Sequence, residues 1–243
     1  MPQLQLKDNE KKFTLPMLDT PRALRVRFRK VGNLQYISHL DLQRTFARVL
    51  VRAGLPIWYT KGFNPHIKMV FGMPLPVGCE SECEFLDIRL EREMSDEEVL
   101  ARLNRELTEE LRALEAYAAE RPFSDMAFAR YDYILHITGA SEARAEQIKG
   151  ALVSPLSVVK KSKSGEKEID LAPMIQSSDV SFDGTNILIT AVLAAGTGNY
   201  VSPELLVQAL RRKLGILTGN PLYEFYRITR RAVLLADGNT VFR

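Results

Sequence analysis

"LRVRFRKVGNLQYISHLDLQRTFARVLVRAG", residues 24–54, holds a strand and a helix back to back. Leu24, Val26 and Phe28 alternate with Arg25, Arg27 and Arg29, the two-residue period of a half-buried strand. From Ser38 the period changes, with Leu42, Phe46, Val49, Leu50 and Ala53 recurring at helical spacing. Ser38 suits the N-cap and Gly54 the position after the last turn, so a helix is expected over 39–53. Asp41, three residues after Ser38, fits a capping-box-like arrangement and the positive end of the helix dipole.

Outward from this stretch, strands are expected at 57–60, 83–90 and near 113–119, with a helix after Ser95. After the linker "RPFSDMAFAR" a second cycle follows. "YDYILHIT" reads as a strand, "SEARAEQIKGALV" as a helix and "LSVVKKSKSGEKEIDL" as a hairpin turning at Ser164 and Gly165. "NILITAVLA" reads as a strand, "SPELLVQALRRKLG" as a helix with Ser202 at its cap and Pro203 at its first position, and "YEFYRITRRAVLL" as a strand. The expected fold class is α+β, with two tandem ferredoxin-like (split βαβ) domains and antiparallel sheets. The expected organisation is a flexible tail over 1–20, a first domain over 21–122 and a second over 123–243.

The 46% apolar and 26% charged composition is that of a soluble globular chain, with no apolar run that spans a bilayer. The first twenty residues lack the apolar core of a secretory signal, so a cytoplasmic, non-membrane protein is expected. Cys79 and Cys83, in "CESEC", match no common zinc or thioredoxin-like spacing and are expected as free thiols. Two cysteines are too few for an iron–sulfur cluster, and no metal or cofactor is expected on this chain. The net charge of +3 conceals an asymmetry. Residues 22–68 carry ten Lys/Arg against Asp41 alone (+9), and residues 79–120 carry five arginines against fourteen acids (−9). Such a split serves either a polyanion or two elements that pair with each other.

Each candidate group has a functional and a plainer reading. Arg25 and Arg27 on the strand can meet phosphate, or can pair with Asp87 of "CEFLDIRL" across the ladder. Arg44, Arg48 and Arg52 form a helical stripe suited to phosphate, or to solvent. His39 and His66 can form an acid/base pair, with Asp87 as a further catalytic candidate, while His136 reads as structural. "TKGFNPHIKMVFGMPLPVGCES" is a long irregular segment, and Lys61, Asn64, His66 and Lys68 offer it donors for a phosphate or a base edge. As a mere connector, Gly62 and Pro65 would only turn the chain. The lysines around "KKSKSGEK" are diluted by Glu166 and Glu168, and the glycines of "AAGTGNYVSPE" lack a lysine in P-loop register.

"YISHLDL", "GFNPHIK" and the Ser81, Glu84, Asp87 spacing closely resemble the radical SAM-linked protein family, a bacterial domain family of unknown function that occurs alone or fused to the C-terminus of radical SAM proteins. The resemblance covers most of residues 22–230 and departs from the family's loop at Ile67, where proline is usual. It implies a working partnership with a radical SAM enzyme on a separate chain. The resulting expectation is an RNA-binding recognition subunit acting in tRNA or rRNA modification, with Arg25, Arg27, Arg44, Arg48, Lys61, Asn64 and Lys68 on the nucleic acid. A stand-alone RNA-processing enzyme and a protein-interaction scaffold remain the alternatives.

Overall fold

The computed structural model describes residues 12–162 and 165–243. They form a mixed α+β fold of antiparallel strands and four α-helices, in two compact units that divide between Phe123 and Ser124.

In the first unit β1 (Met17–Lys30) is followed by α1 (His39–Arg52), β2 (Val70–Gly72), β3 (Cys79–Arg92), α2 (Asp96–Glu106) and β4 (Leu111–Ala118). β1 pairs with β3 on one side and β4 on the other, and β2 pairs with β3, all antiparallel, giving the order β4-β1-β3-β2. The alternation of β1 decides which face is buried. Leu24, Val26 and Phe28 join Leu42, Phe46, Val49 and Leu50 of α1 and Val99 and Leu103 of α2 in one core, so both helices lie on the same face. Phe28 and Phe46 meet with ring centroids 4.8 Å apart. Each such side chain, fully buried, contributes about 1.5–3 kcal/mol. The turn into α1 is set by Gly32, whose φ of 60° suits glycine and whose N–H donates to Glu80 Oε1 at 2.8 Å. The buried Lys30 ammonium donates to the carbonyl of Cys79 at 3.2 Å and lies 3.4 Å from that of Gln35, holding the same turn.

β1 begins at Met17, inside the stretch expected to be a tail, and its register shifts between Met17 and Arg22 around Pro21. Residues 1–11 lie outside the described residues. The expected strand at 57–60 is a correction of a different kind. Only Ile57 and Tyr59 make isolated bridges there, and β2 forms ten residues later.

That displacement is a register effect. In a continuous antiparallel ladder the numbers of paired residues have a constant total. At the edge beside β3 the total rises from 147 at Ile57–Leu90 to 157 at Val70–Asp87, so ten residues are extruded from the edge. Before the extrusion, Glu91 N donates to Pro56 O and Trp58 N to Arg89 O, both at 2.9 Å.

The second unit contains β5 (Phe128–His136), α3 (Glu142–Leu152), β6 (Ser157–Ser162), β7 (Gly165–Asp170), β8 (Ile175–Phe182), β9 (Ile187–Gly196), β10 (Asn199–Tyr200), α4 (Pro203–Leu214) and β11 (Phe225–Leu234). β5 pairs with β11 and β9, and β9 with β8, again antiparallel, giving β11-β5-β9-β8. β6 and β7 form a separate two-stranded ribbon, whose expected turn falls partly outside the described residues. β8 occupies the edge that sequence patterning left unassigned. The Tyr133 hydroxyl donates to the carbonyl of Pro203 at 3.2 Å, tying β5 to the first residue of α4. Gly215, in the left-handed region at φ 62°, ends that helix.

Candidate nucleic-acid interface

The extruded residues build a small finger. Its base is closed by the Tyr59–Ile67 bridge, and Thr60 N donates to His66 O at 2.9 Å. Thr60 closes it a second time, because its hydroxyl accepts from His66 N at 3.1 Å. His66 Nδ1 lies 3.0 Å from that hydroxyl and 3.2 Å from the carbonyl of Asn64. A hydroxyl can donate or accept and a carbonyl only accepts, so both contacts converge on Nδ1 and Nε2 makes neither of them. Gly62, at φ 135°, makes a turn that a side chain rarely tolerates, and Pro65 fixes its own φ. From Lys61 to His66 every residue is exposed, as is Lys68.

Ile67, Met69 and Phe71 anchor the finger by packing on the first unit's core. Phe71 also receives the edge of the His39 ring, with centroids 5.3 Å apart, and so ties β2 to the start of α1. His39 Nε2 lies 3.1 Å from the Gln43 amide nitrogen. Among the described residues, no hydrogen bond or ring contact joins His39 to His66. The two are anchored through β2 and its neighbours and share no bond, so a concerted acid/base pair receives no geometric support.

At the start of α1, Ser38 Oγ accepts from Asp41 N at 3.1 Å and donates to Asp41 Oδ2 at 2.7 Å. The Ser38 hydroxyl, with Arg44 beside it, holds the Asp41 carboxyl below its ordinary value. Arg44 Nη1 lies 3.3 Å from Asp41 and Arg52 Nη2 2.7 Å from Glu106. Arg48 is exposed and has no ionic partner among the described residues, and the same holds for Lys61 and Lys68.

The arginines of β1 behave differently from the expectation that they meet phosphate. Arg25, with a side chain 1% exposed, binds Asp87 through two bonds, Nε to Oδ1 at 2.7 Å and Nη2 to Oδ2 at 2.9 Å. Its Nη2 also donates to the carbonyl of Arg121 at 2.8 Å, and its guanidinium lies 4.3 Å from the Phe123 ring centroid. Arg27 pairs with Glu115 at 2.8 Å and Arg29 with Glu109 at 3.1 Å. Arg25 is therefore corrected to a buried tie, and Asp87, expected as a catalytic candidate, is its counter-ion. Burial is the reason: a desolvated guanidinium must be paired, and the facing strand supplies the carboxylate.

Two groups escaped sequence reasoning. Phe63, at the finger's tip, is fully exposed, and Tyr59 at its base is nearly half exposed. The available signal was that Phe63 stands between a glycine and an Asn-Pro pair, turn-forming neighbours that favour an exposed tip over a core face. Two cavities near this region have no histidine among the described residues that line them: one of about 160 Å³ is lined by Lys12, Leu55, Tyr59 and Arg92 among others, and one of about 530 Å³ by Leu15, Arg22, Met94 and Glu98 among others. Among the described residues no group of three or more His, Cys, Asp or Glu side chains is placed to hold a metal ion, and no helix is long and apolar enough to cross a membrane.

A family described as "Uncharacterized protein conserved in bacteria (DUF2344)" matches residues 23–203, well over half of the chain. The chain belongs to this family. The DUF2344 match takes in the whole finger and runs on to the first residue of α4. No curated protein matches the chain. Among solved structures, one titled "Crystal Structure of an Unknown Protein from Galdieria sulphuraria" aligns over 87% of this chain and 99% of its own, at 10% identity and a TM-score of 0.24, a likeness that carries no argument.

Proposed function

We propose that this chain is an RNA-binding recognition subunit that works in the cytoplasm with a radical SAM enzyme on a separate chain, in the modification of tRNA or rRNA. The observation that carries the RNA reading is the finger. Ten residues leave the sheet edge and present Lys61, Asn64, His66 and Lys68 to solvent, while neighbouring cations of β1 are already paired with acids. Arg48, exposed and unpaired on α1, extends the cationic surface, and Arg44 joins it if Asp41 yields its weak hold. Cations without local counter-ions bind a polyanion with a gain from counterion release. The partnership rests on the sequence resemblance of "YISHLDL" and "GFNPHIK". Each unit is read as ferredoxin-like, a reading supported by the shared orders β4-β1-β3-β2 and β11-β5-β9-β8.

Binding of tRNA and rRNA fragments, measured by fluorescence anisotropy across a salt series, tests the first half. Affinity should fall with a slope of about −0.9 per phosphate neutralised on a duplex. Absence of binding at low salt, or binding indifferent to salt, overturns it. Incubating the chain with RNA, with and without a co-purified radical SAM enzyme, tests the second half, and modified nucleosides should appear only with both.

One observation favours a second reading, a protein scaffold. The basic and acidic segments do pair within the first unit, through Arg25–Asp87, Arg27–Glu115, Arg29–Glu109 and Arg52–Glu106. Those pairs account for the asymmetry of β1 without nucleic acid. They leave the lysines of the finger unexplained.

A further inference from the structure

We propose that the finger is a base-stacking device: Phe63 stacks on an unpaired base of a single-stranded segment while Lys61 and Lys68 hold phosphates on either side of it. This rests on the RNA reading above and specifies which part of an RNA the chain takes.

The placement of Phe63 is the first observation. Its side chain is fully exposed, and a Cβ built at the adjacent Gly62 meets no atom within 4 Å, so the tip stands clear of the rest of the protein. The second is rigidity. The Tyr59–Ile67 bridge, the two bonds from Thr60 to the His66 backbone, the His66 Nδ1 contact with the Asn64 carbonyl and the fixed φ of Pro65 close the finger at its base and leave only a short tip to order on binding. Ordering a flexible loop on binding costs affinity, and a loop fixed in advance avoids most of that cost. The third is charge. Residues 42–79 contain five Lys/Arg and no acid, so the aromatic ring sits in a locally cationic stretch.

These observations together select the occupant. A deep apolar pocket on a protein would accept Phe63 but would gain nothing from the flanking lysines. A duplex would use the lysines but offers no free ring face, because its bases are stacked on one another. Single-stranded nucleic acid uses both, since every unpaired base has a π-face and a phosphate on each side. The exposed amide of Asn64, next to the ring, can meet a base edge.

Anisotropy with a 12-nucleotide single-stranded RNA and with a hairpin duplex, for the wild type and for Phe63→Ala, Phe63→Leu, Phe63→Trp and the Lys61→Ala/Lys68→Ala pair, tests this. Phe63→Ala and Phe63→Leu should weaken binding to the single strand about tenfold, with an unchanged salt slope. Phe63→Trp should restore binding, and none of the three should alter binding to the duplex. The double lysine variant should reduce the single-strand slope by roughly 1.4, two phosphates at about 0.7 each. If wild type binds single strands and Phe63→Ala binds them equally well, the stacking proposal is overturned while the RNA reading stands. If the wild type binds no RNA at low salt, both fall. Loss of a co-purifying protein in Phe63→Ala with RNA affinity intact would also overturn it, in favour of a protein pocket. Circular dichroism of each variant separates these outcomes from misfolding.

Discussion

The two units run their strands in the same spatial order and differ most at one edge. In the second unit that edge is β8, eight residues paired with β9 from Ile175–Leu193 to Phe182–Ile187 with one irregularity near Gln176. In the first unit the edge starts at Pro56 and Ile57, leaves the sheet for ten residues and returns as the three residues of β2. The comparison shows why the finger, and not the edge itself, is placed for recognition. A residue in a ladder has its backbone bonds and one side of its side chain committed, whereas a residue extruded from the ladder keeps its side chain for solvent or a ligand. The first unit obtains a rigid projection because both feet of the finger are held by the same strand, β3.

The arginine–aspartate ties between neighbouring strands also differ between the two units, and the largest predicted effect lies there. Arg25–Asp87 joins the first unit's β1 to β3, with side chains 1% and 24% exposed. Arg231–Asp132 joins the second unit's β11 to β5 at a similar 2.7 Å, with side chains 48% and 35% exposed. Truncating one member of a buried pair strands the other charge, whereas an exposed pair is screened by water. Arg25→Ala should destabilise the first unit by about 3 kcal/mol, and Arg231→Ala the second by at most about 1 kcal/mol, both read from urea unfolding. Equal costs would break the distinction.

The edges themselves come next. Val180, in the middle of β8, is 8% exposed and pairs with Ile189, while Val70 in β2 is 45% exposed. Val180→Ala removes two buried methyl-sized groups and leaves a small cavity, a loss of about 2 kcal/mol. Val70→Ala should remain within about 0.5 kcal/mol of wild type. A large cost at Val70 would show that the interrupted edge is as much a structural strand as β8.

These differences explain what could be read from the sequence. Central strands and helices were legible because their burial follows a period. The helix expected over 39–53 is found over 39–52, and the one opened by Pro203 ends at Leu214 just before Gly215. The edge strands were not legible. "IQSSDVSF" of β8 buries only Val180 fully, so it carries no alternation, and its pairing with β9 is a tertiary choice. β2 has three residues, too few for any pattern. At the candidate site, the exposure of Lys61, Asn64, His66 and Lys68 followed from an irregular segment rich in glycine and proline, but its extrusion from a ladder did not. The pairing of Arg25 with Asp87 was available as one of two readings, because alternation puts both on one face and only the register, Arg25 opposite Asp87, decides between them.

The corresponding first helices of the two units sharpen the comparison at smaller scale. Ser38 caps α1 and Ser141 caps α3, each accepting from the N–H three residues on, Asp41 at 3.1 Å and Arg144 at 3.2 Å. Replacing either serine by alanine at neutral pH should cost about 1 kcal/mol. Only the first cap is coupled to a carboxylate, because the Ser38 hydroxyl also donates to Asp41. The folded-state value of Asp41 lies below its unfolded one, so its contribution is fully present above the unfolded value of about 4 and is lost as pH falls through the folded value. The cost of Ser38→Ala should therefore shrink on acidification through that window. Parallel urea titrations of Ser141→Ala, with an arginine at the third position, should show no such change.

Only a small stability effect is expected from the largest sequence change, deletion of residues 59–68. Ten is the number by which the ladder total rises between Ile57–Leu90 and Val70–Asp87, so the deletion restores one constant register along β3. Ten is also even, and removal of an even number leaves every remaining side chain on its original face. Trp58 would join Met69, and Met69 and Phe71 would continue the core-facing set that Ile57 begins. Against this gain in ladder bonds stands the loss of Ile67, which packs at the margin of the core. The shorter connection also costs less closure entropy, by roughly 0.6 kcal/mol for each halving of a loop. The net change in unfolding free energy should stay within about 1 kcal/mol. The first unit would then carry an uninterrupted edge like that of the second and should lose its affinity for RNA together with the finger. Unfolding of the deletion variant at low denaturant would mean that the excursion holds the edge in place, and the two edges would no longer be variants of one frame. Full stability with full RNA affinity would move recognition away from the finger, to the face of α1 that carries Arg48.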